Sequence, residues 1–267
     1  MLNSRNTAMQ LISNISMLFT GLPLADRLAA ARDAGFDGVE IQFPEVDDID
    51  PLRTAIDDTG LPVVLINVPR GVGDEVGLAC LPDRQEDYRA AVQLCAGQAA
   101  ALSVRKVNVL SGRPTAGADP AACRRTLIDN LRHTADVMSD IGVQVMVEPV
   151  NPMDVPGFFL TGLEAATGVL AEADHPNLFL QFDFYHMALT EPDLSTAIAR
   201  AAPWIGHVQF ADAPGRNEPG SGGIDFTAAL QALRDTGYAG AVSAEYRPAA
   251  DTAAGLGWMK SFRKALA

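Results

Sequence analysis

Short runs rich in Val, Ile, Leu and Phe alternate along the chain with Ala-rich stretches whose apolar residues recur at helical spacing. The runs predict strands near 10–16, 37–43, 62–67, 105–110, 143–149, 177–183, 204–210 and 240–246. The stretches predict helices near 22–34, 48–59, 85–102, 119–139, 162–173, 193–201, 226–236 and 252–265. Gly35, Gly60, Gly142 and Gly237 each fall just past a periodic run, where a helix end favours glycine. Asp119 before Pro120, and Thr161 with Glu164 three residues later, read as N-terminal caps. Eight strand–helix units in 267 residues predict an α/β fold, a single (β/α)8 barrel. A doubly wound sheet would carry a glycine-rich phosphate loop after its first strand, whereas the chain reads NISMLFTGLP there. No shift in composition marks a second domain, so residues 9–267 are expected to form the barrel behind a disordered leader at 1–8.

Within a strand, successive side chains face opposite sides of the sheet. In VQVMVE, Val143, Val145 and Val147 share one face, and Gln144, Met146 and Glu148 the other. By the same parity Gln181 lies with Asp183, His207 with Gln209, and Ser243 with Glu245. The more apolar face of a barrel strand meets the helices, so each of the last four strands ends with an inward-facing oxygen ligand: Glu148, Asp183, Gln209 and Glu245. Converging carboxylates repel one another and lose solvation, a penalty that a divalent cation would offset. Ligation by oxygen favours a hard ion, Mg2+ or Mn2+. One tier lower, Gln181, His207 and Ser243 either orient those ligands or are satisfied core groups. His186, three residues after Asp183, is placed to reach a substrate oxygen, whereas His133 and His175 read as surface residues.

Two connections, 68–84 and 211–225, are longer than a barrel needs, and both follow strands, on the face where barrel active sites lie. The second is glycine-rich around Arg216 and Glu218 and reads either as a surface loop or as a wall of the site. Three carboxylates with one divalent ion leave a charge of about −1. An anionic substrate therefore needs a local cation for its carboxylate: Arg216 first, with Arg70 and Arg84 as alternatives. The whole chain carries 33 acidic against 20 basic residues, a net charge of −13, which argues against nucleic acid and anionic membranes as partners. A hydrophobic content of 48% supports a packed core and excludes disorder. Cys80, Cys95 and Cys123 lack a CxxC pair and read as reduced thiols of a cytoplasmic protein. The first ten residues hold no apolar core of signal-peptide length, and no stretch approaches the ~18 apolar residues of a spanning helix.

The segments NISMLF, GFDGVEIQFP, GLACLPDR, VEPVN with DVPGF, FDFYHM, GHVQFADAPGRNEPGSGGID and EYRP run in order through nearly the whole chain. Together they resemble the hydroxypyruvate isomerase family of the xylose-isomerase-like barrels. The resemblance implies a metal held by Glu148, Asp183, Gln209 and Glu245, the same four that parity selects. It implies substrate contacts from His186 and Arg216, and, by likeness to ketose 3-epimerases, from Asp154. Asn67 and Asn108 are further candidate substrate contacts. The reaction implied is aldose–ketose isomerisation of hydroxypyruvate or a related small 2-oxo sugar acid through an enediolate. Glu148 and Glu245 would be the acid/base pair, their order left open, and a homo-oligomer is the superfamily expectation. One segment departs: the family's loop after strand 3 reads close to N-x-P-x-G-D-W, then G-E-R-G, whereas here NVPRGVGDEVGLAC lacks that Trp and Arg. A ketose 3-epimerase with the same metal site is the alternative, although epimerases usually have His where this chain has Gln209. An endonuclease for abasic DNA would need zinc-ligating histidines and a basic groove, against four histidines and −13 here. A silent ligand-binding barrel would need neither glutamate.

Overall fold

Each apolar run foreseen as a strand forms one, with bounds within two residues of those expected. The computed structural model describes residues 8–267, so the leader expected at 1–8 lies, Ala8 excepted, outside the described residues. The strands are β1 (Gln10–Asn14), β2 (Gly38–Ile41), β3 (Val63–Asn67), β4 (Lys106–Val109), β5 (Gln144–Val147), β6 (Leu178–Asp183), β7 (Ile205–Phe210) and β8 (Ala241–Ala244). Each is parallel to its sequence neighbours, and β8 returns to β1 with Gln10 opposite Ala241, closing a (β/α)8 barrel.

The helices outside the barrel are α1 (Asp26–Asp33), α2 (Ile49–Thr59), α3 (Gln85–Ala101), α4 (Pro120–Ser139), α5 (Leu163–Ala173), α6 (Phe184–Thr190), α7 (Leu194–Ala201), α8 (Phe226–Asp235) and α9 (Met259–Leu266). The parity of β5 to β8 sorts their side chains as expected. Val145, Val147, Leu180, Phe182, Val208, Phe210 and Val242 join the helices in one apolar layer, whereas Gln181, His207, Gln209 and Ser243 are buried polar groups. Phe262 of α9 stacks 4.7 Å from Phe210, and Met9 N–H donates to Leu266 O at 3.1 Å, tying the end of the chain to the start of β1.

Three local expectations are corrected. Asp119 does cap α4, accepting from the Ala121 and Ala122 N–H groups, but Thr161 does not cap α5. That helix starts one residue later, from Gly162, which puts Glu164 in its first turn without the spacing of a capping box. The stretch foreseen as a helix at 252–265 is a 3-10 turn over Ala253–Trp258 followed by α9; Gly255 and Gly257 weaken α-helical hydrogen bonding in its first half. Helix α6 was not foreseen, because the apolar run of β6 passes into it without a break.

The long connections at 68–84 and 211–225 leave the C-terminal ends of β3 and β7 and meet over the same mouth. The first is pinned where Gly77 (φ 129°) crosses Gly112 (φ 97°) of the loop after β4, so closely that a Cβ on either would overlap the other's backbone. The second is gathered around buried Asp212, whose carboxylate accepts from the N–H groups of Ala213, Gly220 and Ile224. It is a built wall rather than a loose surface loop.

Candidate active site

Closure of the barrel brings Glu148, one residue past β5, Asp183, the last of β6, and Glu245, one residue past β8, together as buried carboxylates. Asp183 Oδ1 caps α6 by accepting Tyr185 N–H at 2.8 Å. Its Oδ2 is buried with no hydrogen-bond partner among the described residues, 3.6 Å from His186 Nε2 and 3.9 Å from Arg216 Nη2. Glu148 Oε2 accepts from Asn108 Nδ2 at 2.8 Å, and Oε1 lies 3.9 Å from His186 Nε2. Glu245 Oε1 accepts from Asn14, Gln42 and Gln209, and its Oε2 pairs with Arg216 Nη2 at 2.5 Å.

Burial, with the charges of Glu245 and Asp183 added to it, pushes the Glu148 carboxyl well above its ordinary range. Burial likewise raises Asp183 to about 7 and raises Glu245, each against the pull of Arg216. The Arg216 guanidinium is held charged by Glu245, Asp183, Glu148 and Asp154 despite its burial. Its backbone is left-handed (φ 56°), its carbonyl is fixed by Arg247 N–H at 2.7 Å, and its guanidinium lies 5.2 Å above the Tyr185 ring.

His186 sits on α6, and its ring is oriented by Asn151. The Asn151 Oδ1 accepts the Met153 and Asp154 N–H groups, which turns its Nδ2 toward His186 Nδ1 at 2.7 Å. Nδ1 is therefore the acceptor, and Nε2 carries the ring proton toward the two carboxylates. Burial holds this imidazole well below its ordinary pKa, so it is a neutral donor aimed into the site.

A polar layer lies beneath. His207 Nε2 donates to Glu40, whose other oxygen accepts from Gln209 Nε2 at 2.8 Å. The Glu40 carboxyl is lowered: burial alone would raise it, but His207, Gln209 and Ser243 stabilise the anion. Burial lowers His207, so a neutral imidazole donates to a charged carboxylate. The Gln209 amide oxygen accepts from Gln181 Nε2 at 2.7 Å.

The residues picked from sequence thus converge. Asn67 lines the cleft, Asn108 holds Glu148, and Asp154 stands 3.8 Å from Arg216 and accepts from Tyr185 Oη at 3.1 Å. Arg84 is drawn away by Glu75 and Asp87, whereas Arg70 lines the same cleft as Arg216. Sequence reasoning missed Glu40, Asn14, Gln42, Asn151 and Tyr185. Parity applied to GVEIQF would have found Glu40 and Gln42, which face the interior between Val39 and Ile41.

A cation fits these residues. The ligand atoms of Glu148, Asp183 and His186 all lie within 4.8 Å of one another; with His186 Nε2 protonated, the two carboxylates are the donors, and the orphaned Asp183 Oδ2 is the atom that a hard ion would satisfy. The cleft above them has a volume of about 190 Å³, walled by Phe43, Val76, Val155 and Phe158. Among the described residues no helix is long and apolar enough to cross a membrane, and Cys80, Cys95 and Cys123 are buried and unpaired.

The family model of xylose isomerase-like TIM barrels matches residues 28–262. The chain is 37% identical to hydroxypyruvate isomerase of Escherichia coli K12, over 94% of this chain and 98% of that protein. It is 36% identical to 2-oxo-tetronate isomerase of Cupriavidus necator, over 94% of this chain and 97% of that one. A solved structure from Brucella melitensis, described as an AP endonuclease of family 2, superposes with a TM-score of 0.92 at 34% identity, over 96% of this chain and 99% of that one.

Proposed function

This chain belongs to the xylose isomerase-like TIM barrel family and is a small-substrate isomerase of the hydroxypyruvate isomerase type, and we propose that it interconverts hydroxypyruvate, or a closely related short 2-oxo acid, with its aldehyde isomer by proton transfer dependent on a divalent cation. The observation that carries this reading is the orphaned, buried Asp183 Oδ2 between Glu148, the His186 donor and Arg216. Glu148, Asp183 and Glu245 would hold Mg2+ or Mn2+; Gln209 would join them through its oxygen only with its amide turned over, because that oxygen accepts from Gln181 while its nitrogen faces Glu245. When bound, the ion supplies Lewis acidity to the adjacent carbonyl and hydroxyl of the substrate and charge stabilisation to the enediolate.

The chain's own groups then do the proton work. One of Glu148 and Glu245 takes a proton from the hydroxyl-bearing carbon, and the other delivers one to the former carbonyl carbon. The hydroxyl proton passes to the former carbonyl oxygen, so atoms and charge balance. His186 Nε2–H donates to a substrate oxygen and stays neutral throughout, because its Nδ1 already accepts from Asn151. Arg216 offsets the carboxylates and faces the substrate, and Asn67 and Asp154 supply polar contacts around it. A cleft of about 190 Å³ lies below the ~300–1,000 Å³ of pockets for drug-sized ligands, which suits a ligand of three or four carbons.

Proton NMR in D2O tests the reading, with metal-stripped protein and hydroxypyruvate before and after Mg2+ is added. Deuterium incorporation and tartronate semialdehyde signals should appear only with the metal. A folded, metal-loaded protein that exchanges nothing would overturn hydroxypyruvate as substrate and turn attention to four-carbon 2-oxo acids. Exchange in a ketose without movement of its carbonyl would instead identify a 3-epimerase.

A further inference from the structure

Two guanidiniums line the cleft, and they are not equivalent. Arg216 is already engaged: it pairs with Glu245 at 2.5 Å, stands within 3.9 Å of Asp154 and Asp183, and rests on Tyr185. Four carboxylates, counting Asp154, against one guanidinium and a divalent ion would still leave the site negative toward an arriving anion. Arg70 is the opposite case. It follows β3 in the loop that departs from the family pattern, its guanidinium lies 5.5 Å from the centroid of the Phe43 ring, and its hydrogen bond to Gly73 O is long, 3.5 Å. No carboxylate pairs with it among the described residues.

We propose that Arg70 is the receptor for the substrate's carboxylate and sets the preference of the cleft for 2-oxo acids over neutral sugars. The proposal rests on the isomerase reading and deepens it. Stacking on Phe43 leaves the edge of the guanidinium, with its paired N–H groups, free to meet a planar carboxylate bidentately. Arg70 is exposed at the rim of the cleft that Val76, Val155 and Phe158 also line, where it can meet the charged end of an entering substrate. Arg216 keeps the carboxylates of the reacting end company, and Arg70 takes the charged end that does not react.

The test compares hydroxypyruvate with dihydroxyacetone, which has the same reacting end but a neutral hydroxymethyl in place of the carboxylate. Arg70→Gln should raise KM for hydroxypyruvate about 10–100-fold, the range of a charged hydrogen bond, with kcat nearly unchanged. KM for dihydroxyacetone should not move. Arg70→Lys should recover only part of the loss, and rising ionic strength should raise the wild-type KM for hydroxypyruvate more than that of Arg70→Gln. An equal rise for both substrates would mean that Arg70 merely supports the loop, and no rise for either would place the carboxylate elsewhere. If the wild type is inert toward hydroxypyruvate, that substrate fails on its own account. Arg70 is then judged by calorimetry with tartronate, a non-isomerising hydroxy-dicarboxylate: weaker binding to Arg70→Gln upholds the assignment, and equal or absent binding to both proteins overturns it.

Discussion

Glu148 and Glu245 are the proposed proton carriers, and replacing each by Gln nearly keeps the size and shape of the side chain while removing the carboxyl that takes up and releases a proton. Both variants should fold, and each should lose turnover by about 10²–10⁴-fold, the usual share of a general acid or base. Exchange in D2O then separates their roles. The variant lacking the base should incorporate no deuterium at the hydroxyl-bearing carbon, whereas the one lacking the returning acid should still exchange there without forming product. A Gln variant at wild-type rate would remove that glutamate from the pair. These two residues were legible in the sequence because strand parity fixes which side chains face inward, and burial of the opposite face by Val and Leu makes the parity unambiguous. Asn151 was not legible. Its part in setting the His186 tautomer depends on a loop in which its own Oδ1 accepts two backbone N–H groups, and no periodicity encodes that turn.

Strands of β-branched and aromatic residues between Ala-rich helices declare themselves by period, so the order of elements followed from pattern alone. The exceptions are local. Helix α6 is short and continues the apolar run of β6, and its start is set by a side chain, Asp183, that also serves the site. The long connection at 68–84 has no period to read. Its position is set by the close crossing of Gly77 and Gly112, both at positive φ, where a Cβ would meet backbone that cannot yield. Gly77→Ala therefore combines overpacking with a strained left-handed conformation. We expect a loss of about 1–3 kcal/mol, read as a melting temperature lower by about 2–4 °C per kcal/mol. Because Arg70 and Val76 belong to this connection, KM should worsen beyond what the loss of folded protein explains. An unchanged melting temperature would mean that the two loops separate freely.

At the scale of the molecule, a net charge of −13 goes with buried carboxylates gathered at one mouth of the barrel. The same gathering makes the metal-free protein strained in a way that pH exposes. The Glu148 carboxyl is raised well above its ordinary value, chiefly by burial, so the folded protein holds a proton that the unfolded chain releases near pH 4.3. Its stabilising contribution is complete below that pH and is lost as pH rises through the raised folded value. Gln at this position mimics the protonated carboxyl at every pH, with its oxygen toward Asn108 and its amide nitrogen toward the orphaned Asp183 oxygen. In chelator at pH 8, Glu148→Gln should therefore be the more stable protein, by about 1–4 kcal/mol, and the gap should close toward pH 4. Comparing the two proteins cancels the opposing contributions of His186 and His207, whose lowered values favour higher pH in both. Mn2+ should reverse the order at pH 8: the wild type gains RT ln(1 + [Mn2+]/Kd), about 2.7 kcal/mol at 100 times Kd, and the variant, short of one anionic ligand, gains less. Thermal melts of the two proteins with chelator and with Mn2+ read all four states. A wild type more stable than Glu148→Gln without metal at pH 8 would show that the carboxylates are already satisfied by Arg216 and the asparagines, and that no cation is needed to hold them together.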